Sequence, residues 1–467
     1  MQPFPKSITA RLRNSVSPRI AVLIGVMAPS LMVGMDHHTF GVALPTVRAS
    51  FGLDADTTAW ASMIYSLPFM TLMPLYGRLG DELGKRRLLL FGIAIFLLGT
   101  GILLLAPSLT WYMIGRAVQG VGTAGFVPLS IALIAQWFPA NERGKIMGSW
   151  NSIVPLSGLV FPYFSGLLID AYGWRAVYPI IMVVGLVALV VVQYNIPVAD
   201  NPRTTPDFLR RFDWPGVILL SGALAALLFF TSSRPITGVE GLHDWRLLTV
   251  CGLLLVMFIR WERRRVNPYM NLRVFSSLTF TAASVCAGLR MFIMSSSSFL
   301  LPLYLTDIHG LNASAIGIAL ALQAGMLFVT SQAGGQVADR WGSRLPIMVS
   351  MGGLILVLTL FALADAASPI WWLYALSGAH GLIIGLSLAP LHRSSMQEVA
   401  DHEAGAAAGL YSMIRFAGQI LGVAVAGVLL QQQLSLVSAP VAAYQFVLWL
   451  YVGVAVVATL LAGLIRN

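Results

Sequence analysis

Apolar runs broken by short polar loops repeat along the whole chain. They fall at about 19–46, 57–78, 87–106, 110–137, 144–169, 174–196 and 214–232 in the first part. The pattern continues at about 244–262, 277–305, 312–338, 345–366, 369–390, 403–430 and 441–464. A helix crossing a hydrocarbon layer needs about 20 residues, and each run approaches or exceeds that length. A backbone in lipid must satisfy its own hydrogen bonds, so runs this long imply helices rather than barrel strands. The pattern predicts an all-α polytopic membrane protein with about fourteen transmembrane helices.

Composition agrees with the pattern. Of 467 residues, 57% are hydrophobic and only 10% charged, with a mean hydropathy of +0.79, too few charges for a soluble chain of this length. Cys251 and Cys286 both lie in apolar runs, and no metal site or disulfide framework can be built from them. No cofactor is expected, and no nucleophile–base arrangement or phosphate-binding loop suggests an enzyme or an ATPase.

The net charge of +10 raises the question of nucleic acid, but its placement answers it. Of 29 Lys and Arg residues, 22 fall in loops on one face, four (Arg48, Arg175, Arg234, Arg246) on the other, and three within the runs. That asymmetry is the positive-inside signature, so both termini are expected in the cytoplasm, as in a bacterial-type inner membrane. The basic loops then set topology and touch anionic lipid, and nucleic acid is not an expected partner. The first run is too long for a signal-peptide core and reads as a retained span.

The loop "GRLGDELGKRRLLL" after the second run has a weaker echo in "GGQVADRWGSRLP". In each, small residues precede an Asp (Asp81, Asp339) and a Gly follows three residues later. Such an echo is evidence of internal duplication, a common plan for secondary transporters. The expected organisation is a six-helix bundle over 1–196, linkers and two extra helices over 197–276, and a second six-helix bundle over 277–467.

At this point the residues become specific. "GRLGDELGKRR" resembles the hallmark loop of the major facilitator superfamily, with Gly77, Leu79, Asp81, Gly84, Lys85 and Arg86 in matching positions. "MDHHTFGVALP" resembles the first-span signature of that superfamily's fourteen-span drug–proton antiporters, matched at Asp36, Thr39 and Val42 to Pro45. "GRAVQGVGTA" is similar to the family's fourth-span arginine motif, with Arg116, Gln119 and Gly120 in place. The resemblance implies that Gly77, Asp81, Gly84, Lys85 and Arg86, echoed by Asp339 and Arg340, form a conformational gating loop. Glu82 departs from the pattern, standing where the family usually carries a base. In the fifth span, "SGLVFPYFSG" keeps only Pro162 and Gly166 of a Gly-rich family motif, and Phe161 in particular is expected to loosen helix packing there.

Four charges fall deep in runs: Asp36, Arg116, Arg290 and Arg415. Left unpaired they would cost about 10–14 kcal/mol together, so they should face one another or a hydrated cavity. Asp36 is the one carboxylate placed near the middle of a run, and it is the candidate for proton exchange, with Arg116 as its brace or relay. His37 lies about 100° around the helix from Asp36 and is a candidate flank for proton movement, whereas His38, about 200° away, is expected to pack on another helix. Phe40, Tyr112, Gln119, Arg290, Met294, Tyr411, Arg415 and Gln419 are the candidate lining of a substrate cavity, chosen by helical spacing from these charges.

The expected function is proton-coupled export of a hydrophobic or amphipathic small molecule by a monomeric secondary transporter. Three deep arginines against one aspartate also leave open a transporter for an anionic metabolite or lipid-like substrate, not necessarily an antiporter. A membrane enzyme or scaffold is the third reading.

Overall fold

The computed structural model describes residues 17–197, 213–231, 233–264, 272–399 and 404–465. The linker expected between the halves therefore lies largely outside the described residues, as does the side chain of Asp81.

The first half contains α1 (Pro18–Phe51), α2 (Ala55–Leu83), α3 (Lys85–Leu105), α4 (Leu109–Thr123) and α5 (Phe126–Trp137). It is completed by α6 (Ala140–Asn151), α7 (Ile153–Tyr172) and α8 (Val177–Asn195). Next come α9 (Trp214–Thr231), the single turn α10 (Arg234–Thr237) and α11 (Trp245–Arg264). The second half contains α12 (Leu278–Asp307), α13 (Ala313–Trp341), α14 (Arg344–Ala362) and α15 (Ile370–Leu386). It closes with α16 (Leu388–Met396), α17 (Ala404–Leu436) and α18 (Pro440–Ala462).

Among the described residues, twelve segments are both long and apolar enough to cross a membrane, some of them two consecutive helices taken together. The sequence pattern counts about two more, α2 and α11, which have the length but not the composition. α2 is rich in Thr, Ser, Pro and Tyr, and α11 carries Arg246, Arg260 and Glu262. A polar face on α2 is tolerable because that helix packs inside the protein, against α4 and α17, rather than wholly against lipid.

Within the first half, α1 packs on α7 and α8, and α3 on α4 and α8. Within the second, α12 packs on α17 and α18, α13 on α15, and α14 on α18. α9 and α11 pair with each other and reach the rest of the fold mainly through α17 and α2. The halves meet along α7 against α13 and α2 against α17, with α1 touching both α12 and α13.

Small residues set the closest of these approaches. A Cβ on Gly317 of α13 would lie 2.4 Å from the Pro162 carbonyl oxygen, and one on Gly166 of α7 would lie 2.5 Å from that of Ala313. Gly158 likewise faces Ala324 at 2.6 Å. Close α7–α13 packing is therefore made despite Phe161, because Gly158, Gly166 and Gly317 supply the small side of the contact.

The bonds that join the halves gather at the face opposite the basic loops, here called the far face. Arg48 Nη1 donates to Asp307 Oδ2 at 2.7 Å, and Tyr444 Oη donates to the same oxygen at 2.6 Å. The Ala55 amide donates to Gln431 Oε1 at 2.9 Å. Asp170, at the end of α7, accepts from the Ala313 and Ser314 amides at 2.9 and 3.0 Å. A carboxylate on those amides caps the first turn of α13 and suits the positive end of its dipole. The far face is closed.

Candidate functional site

The site in the first half begins with glycines. A Cβ on Gly92 would meet the Gly122 carbonyl oxygen at 2.5 Å, and one on Gly99 would meet the Gln119 amide nitrogen at 2.7 Å. α3 and α4 therefore touch backbone to backbone, which brings Thr100 of α3 to Gln119 of α4. Gln119 Nε2 donates to Thr100 Oγ1 at 3.0 Å and to Asp36 Oδ1 at 3.2 Å. Arg116 Nη1 donates to Asp36 Oδ2 at 2.9 Å and to Gln119 Oε1 at 2.8 Å.

Both carboxylate oxygens of Asp36 are thus engaged, and Asp36 and Arg116 are each only 3% exposed. The guanidinium also lies over two rings, 4.3 Å from the centroid of Phe40 and 4.8 Å from that of Tyr65. Such cation–π contacts strengthen when water is excluded. A pocket of about 10 Å³, lined by Asp36, Thr39, Phe40, Arg116 and Tyr178 among others, adjoins the pair. Thr39 Oγ1 and Arg116 Nε are buried without a partner among the described residues, so hydrogen-bonding capacity remains for a water.

The neighbours sort by helical angle. His38 Nε2 lies 3.1 Å from the Val154 carbonyl oxygen of α7, so it packs on another helix as its angle predicts. His37 is exposed, although protein surrounds it and both Asp36 and Arg116 act on it electrostatically. A residue that is deep yet open lies on the wall of an internal space. Tyr112 is placed elsewhere: it is fully buried among Phe51, Trp174 and Tyr178.

The candidate residues of the second half form another group. Arg290 is 2% exposed, and its Nε donates to the Ile384 carbonyl oxygen of α15 at 3.1 Å. Arg415 lies one helix away on α17 and is half-buried, with its Nε unpartnered. Tyr411 is buried beside both arginines, and His392 sits edge-on to its ring at 5.4 Å. Met294 and Gln419 are half-buried, and the Gln419 carbonyl oxygen accepts from Ser295 Oγ at 2.7 Å.

A sequence model of the Major Facilitator Superfamily matches residues 27–422 and 283–467. The chain belongs to that superfamily. It is 28% identical over 418 residues to the multidrug resistance protein Stp of Mycobacterium tuberculosis, covering 89% of this chain and 77% of that protein. It is 29% identical over 423 residues to the tetracenomycin C resistance and export protein of Streptomyces glaucescens, covering 88% and 75%. The solved structure of a bacterial homologue of the human lysosomal transporter Spinster, inward-facing and occupied, superimposes with a TM-score of 0.68. That match covers 97% of each chain at 16% identity, and it shows the shared fold.

As a Major Facilitator Superfamily member, the chain is a transporter of small molecules and an integral membrane protein. Its hallmark loop is built on backbone. Gly84, between α2 and α3, has φ +91°, and Gly342, between α13 and α14, has φ +79°, so both echoed glycines take a conformation that L side chains rarely adopt. A Cβ on Gly80 would meet Leu129 at 2.3 Å, whereas Gly77 has ordinary room beside Pro128. Lys85 donates to Gln136 at 3.2 Å, and Arg86 donates to the Gln193 carbonyl oxygen. In the second half Asp339 pairs with Arg393 of α16, and Arg340 is exposed.

Sequence reasoning missed several participants. Thr100 and Tyr65 join the Asp36 group only through tertiary contact, and no motif marks them. The Arg48–Asp307–Tyr444 group had a signal, since charges at the ends of two runs invite pairing across the halves. A second cavity, of about 30 Å³, lies inside the second half between Ser297, Tyr304, Gln323 and His380. Gln323 Nε2 is 2.7 Å from His380 Nδ1, while Ser297 Oγ, Tyr304 Oη and His380 Nε2 are buried and unpartnered. A space of that size has room for about two waters.

Proposed function

We propose that this transporter exports hydrophobic or amphipathic compounds in exchange for protons by alternating access, with Asp36 as the proton-binding group. The observation that carries the reading is the Asp36–Arg116–Gln119 group, a buried carboxylate whose partners include a permanently charged guanidinium. Neutralising Asp36 removes the charge that holds Arg116, so its proton occupancy acts directly on the packing of α1 against α4. The adjoining open His37 gives the site a route to the internal space. Exchange then follows if substrate and proton each alter the other's affinity through that packing.

Support for export comes from relatives named for multidrug resistance and for resistance and export. The excess of basic residues on one face supports cytoplasmic termini and a bacterial-type inner membrane. With that orientation, the closed far face corresponds to an inward-open state. The reading takes the working unit to be a monomer, with halves over 1–196 and 277–467 and the α9–α11 pair between them.

The test is Asp36→Asn, with substrate-induced proton release followed in inverted vesicles. Release is expected to vanish while substrate binding persists. Unchanged release removes Asp36 from the coupling role.

A further inference from the structure

The two halves treat their buried arginines in opposite ways. In the first half Arg116 has Asp36 at 2.9 Å. In the second half neither Arg290 nor Arg415 has a carboxylate partner among the described residues. Arg290 is satisfied only by one carbonyl oxygen and by the Met291 sulfur at 3.6 Å. Arg415 leans over the Phe416 ring at 5.0 Å with its Nε unpaired. The two guanidinium groups also act on each other as like charges. Among the described acids of the second half, Asp307 serves Arg48 at the far face, Asp339 serves Arg393 at the basic face, Glu398 accepts from Ser277 and Thr279, and Asp365 accepts from Ala367 and Ser368.

Two like charges in a low-dielectric interior are costly unless something neutralises them. Among the described residues no carboxylate supplies a counter-charge here, and the cargo is a source of one. We propose that Arg290 and Arg415 form the headgroup site for an amphipathic anion, a carboxylate or phosphate carried on an apolar body. This inference rests on the transport function proposed above and narrows its substrate class.

The surroundings fit both ends of such a molecule. Arg415 is the more open of the two, and the adjacent Phe416 meets Phe69 of α2 edge-on at 5.2 Å, which puts the site at the boundary between the halves. Arg290 lies behind it, and the Tyr411 hydroxyl stands beside both as a further donor. Guanidinium forks bind carboxylate and phosphate oxygens bidentately, which gives geometry as well as charge. Met294 of α12 and the Phe69–Phe416 pair offer polarisable and aromatic surface for the apolar body.

The experiment is thermal unfolding of the purified full chain with three probes below their micellar concentrations: dodecyl phosphate, dodecyltrimethylammonium and inorganic phosphate. Dodecyl phosphate is expected to raise the midpoint by a few degrees and to saturate, with the other two giving less. Arg415→Gln and Arg290→Gln should each weaken that effect about 10- to 100-fold, the loss expected for a charged hydrogen bond. Each variant changes the net charge by one of +10, so non-specific attraction to a basic protein would survive it. Arg415→Lys and Arg290→Lys, which keep the charge and guard against misfolding of the glutamine variants, should remain anion-selective with reduced affinity.

Stabilisation by the ammonium probe equal to that by dodecyl phosphate overturns the proposal. So does an undiminished anion preference in folded glutamine variants, and so does inorganic phosphate matching dodecyl phosphate. The anion-specific shift without proton release would sink only the antiport reading. Proton release without that shift would sink only the anion site.

Discussion

Arg48 Nη1 lies 2.7 Å from Asp307 Oδ2, tying the last turn of α1 in one half to the last residue of α12 in the other. Tyr444 at the start of α18 donates to the same carboxylate oxygen, so one acid fastens three helices at the far face. The pair is partly exposed, at 20% and 28% of the two side chains, which limits its strength to about 1 kcal/mol. Asp307→Asn is therefore expected to raise the population with an open far face about fivefold. Distances between spin labels on α1 and α12 at that face report the shift. An unchanged distribution would mean that α7–α13 and α2–α17 packing alone holds the closure.

The Asp36–Arg116 pair is of the opposite kind, because both partners are buried. Removing one partner leaves an uncompensated charge, and Arg116 then has only Gln119 and two aromatic faces. Asp36→Ala is expected to cost about 3–5 kcal/mol of stability. The double variant Asp36→Ala with Arg116→Met should recover most of that loss while abolishing proton coupling. Unfolding in detergent measures the stability of each variant, and additive losses would contradict a direct pair.

The echoed loops make a backbone prediction. Gly84→Ala and Gly342→Ala place a Cβ on residues at φ +91° and +79°, and each is expected to lose about 1–3 kcal/mol. Gly77→Ala should be nearly silent, because the nearest neighbour of the new methyl is Pro128 Cβ at 3.5 Å. Melting temperatures of the three variants check this ordering.

The cavity around His380 predicts ordered water. Tyr304→Phe removes a buried hydroxyl that has no protein partner. If water fills the space, the variant loses a bridged hydrogen bond and about 1 kcal/mol. An unaltered unfolding midpoint would show that the space is dry.

The architecture was legible because the hydrocarbon layer imposes one rule on every span: bury the backbone polar groups and be long enough. That rule reads α1, α3 and α12 without difficulty. It serves less well for α2 and α11, where length suggests two more spans than composition supports. The hallmark loop was legible for a different reason, since positive φ selects glycine locally and leaves a mark at Gly84 and Gly342.

The site was legible only in part. Helical angle separated Asp36 from His38, because an angle around one helix is a local property. It placed Tyr112 on the same stripe as Arg116, yet the structure seals Tyr112 among aromatic rings, because which stretch of a stripe is open depends on neighbouring helices. Thr100 reaches Gln119 only because Gly92, Gly99 and Gly122 let α3 and α4 touch.

By itself, then, the sequence determined which segments are helices, which face is basic, where glycine is obligatory and which charges are deep. Each follows from a cost paid locally, in backbone hydrogen bonds, in φ or in desolvation. Only the tertiary structure decided that Asp36 is paired, that Arg290 and Arg415 have no carboxylate partner among the described residues, and that Arg48 meets Asp307 across the halves. Those outcomes depend on helix-to-helix distances of a few ångströms between residues tens to hundreds of positions apart, and no local cost encodes them.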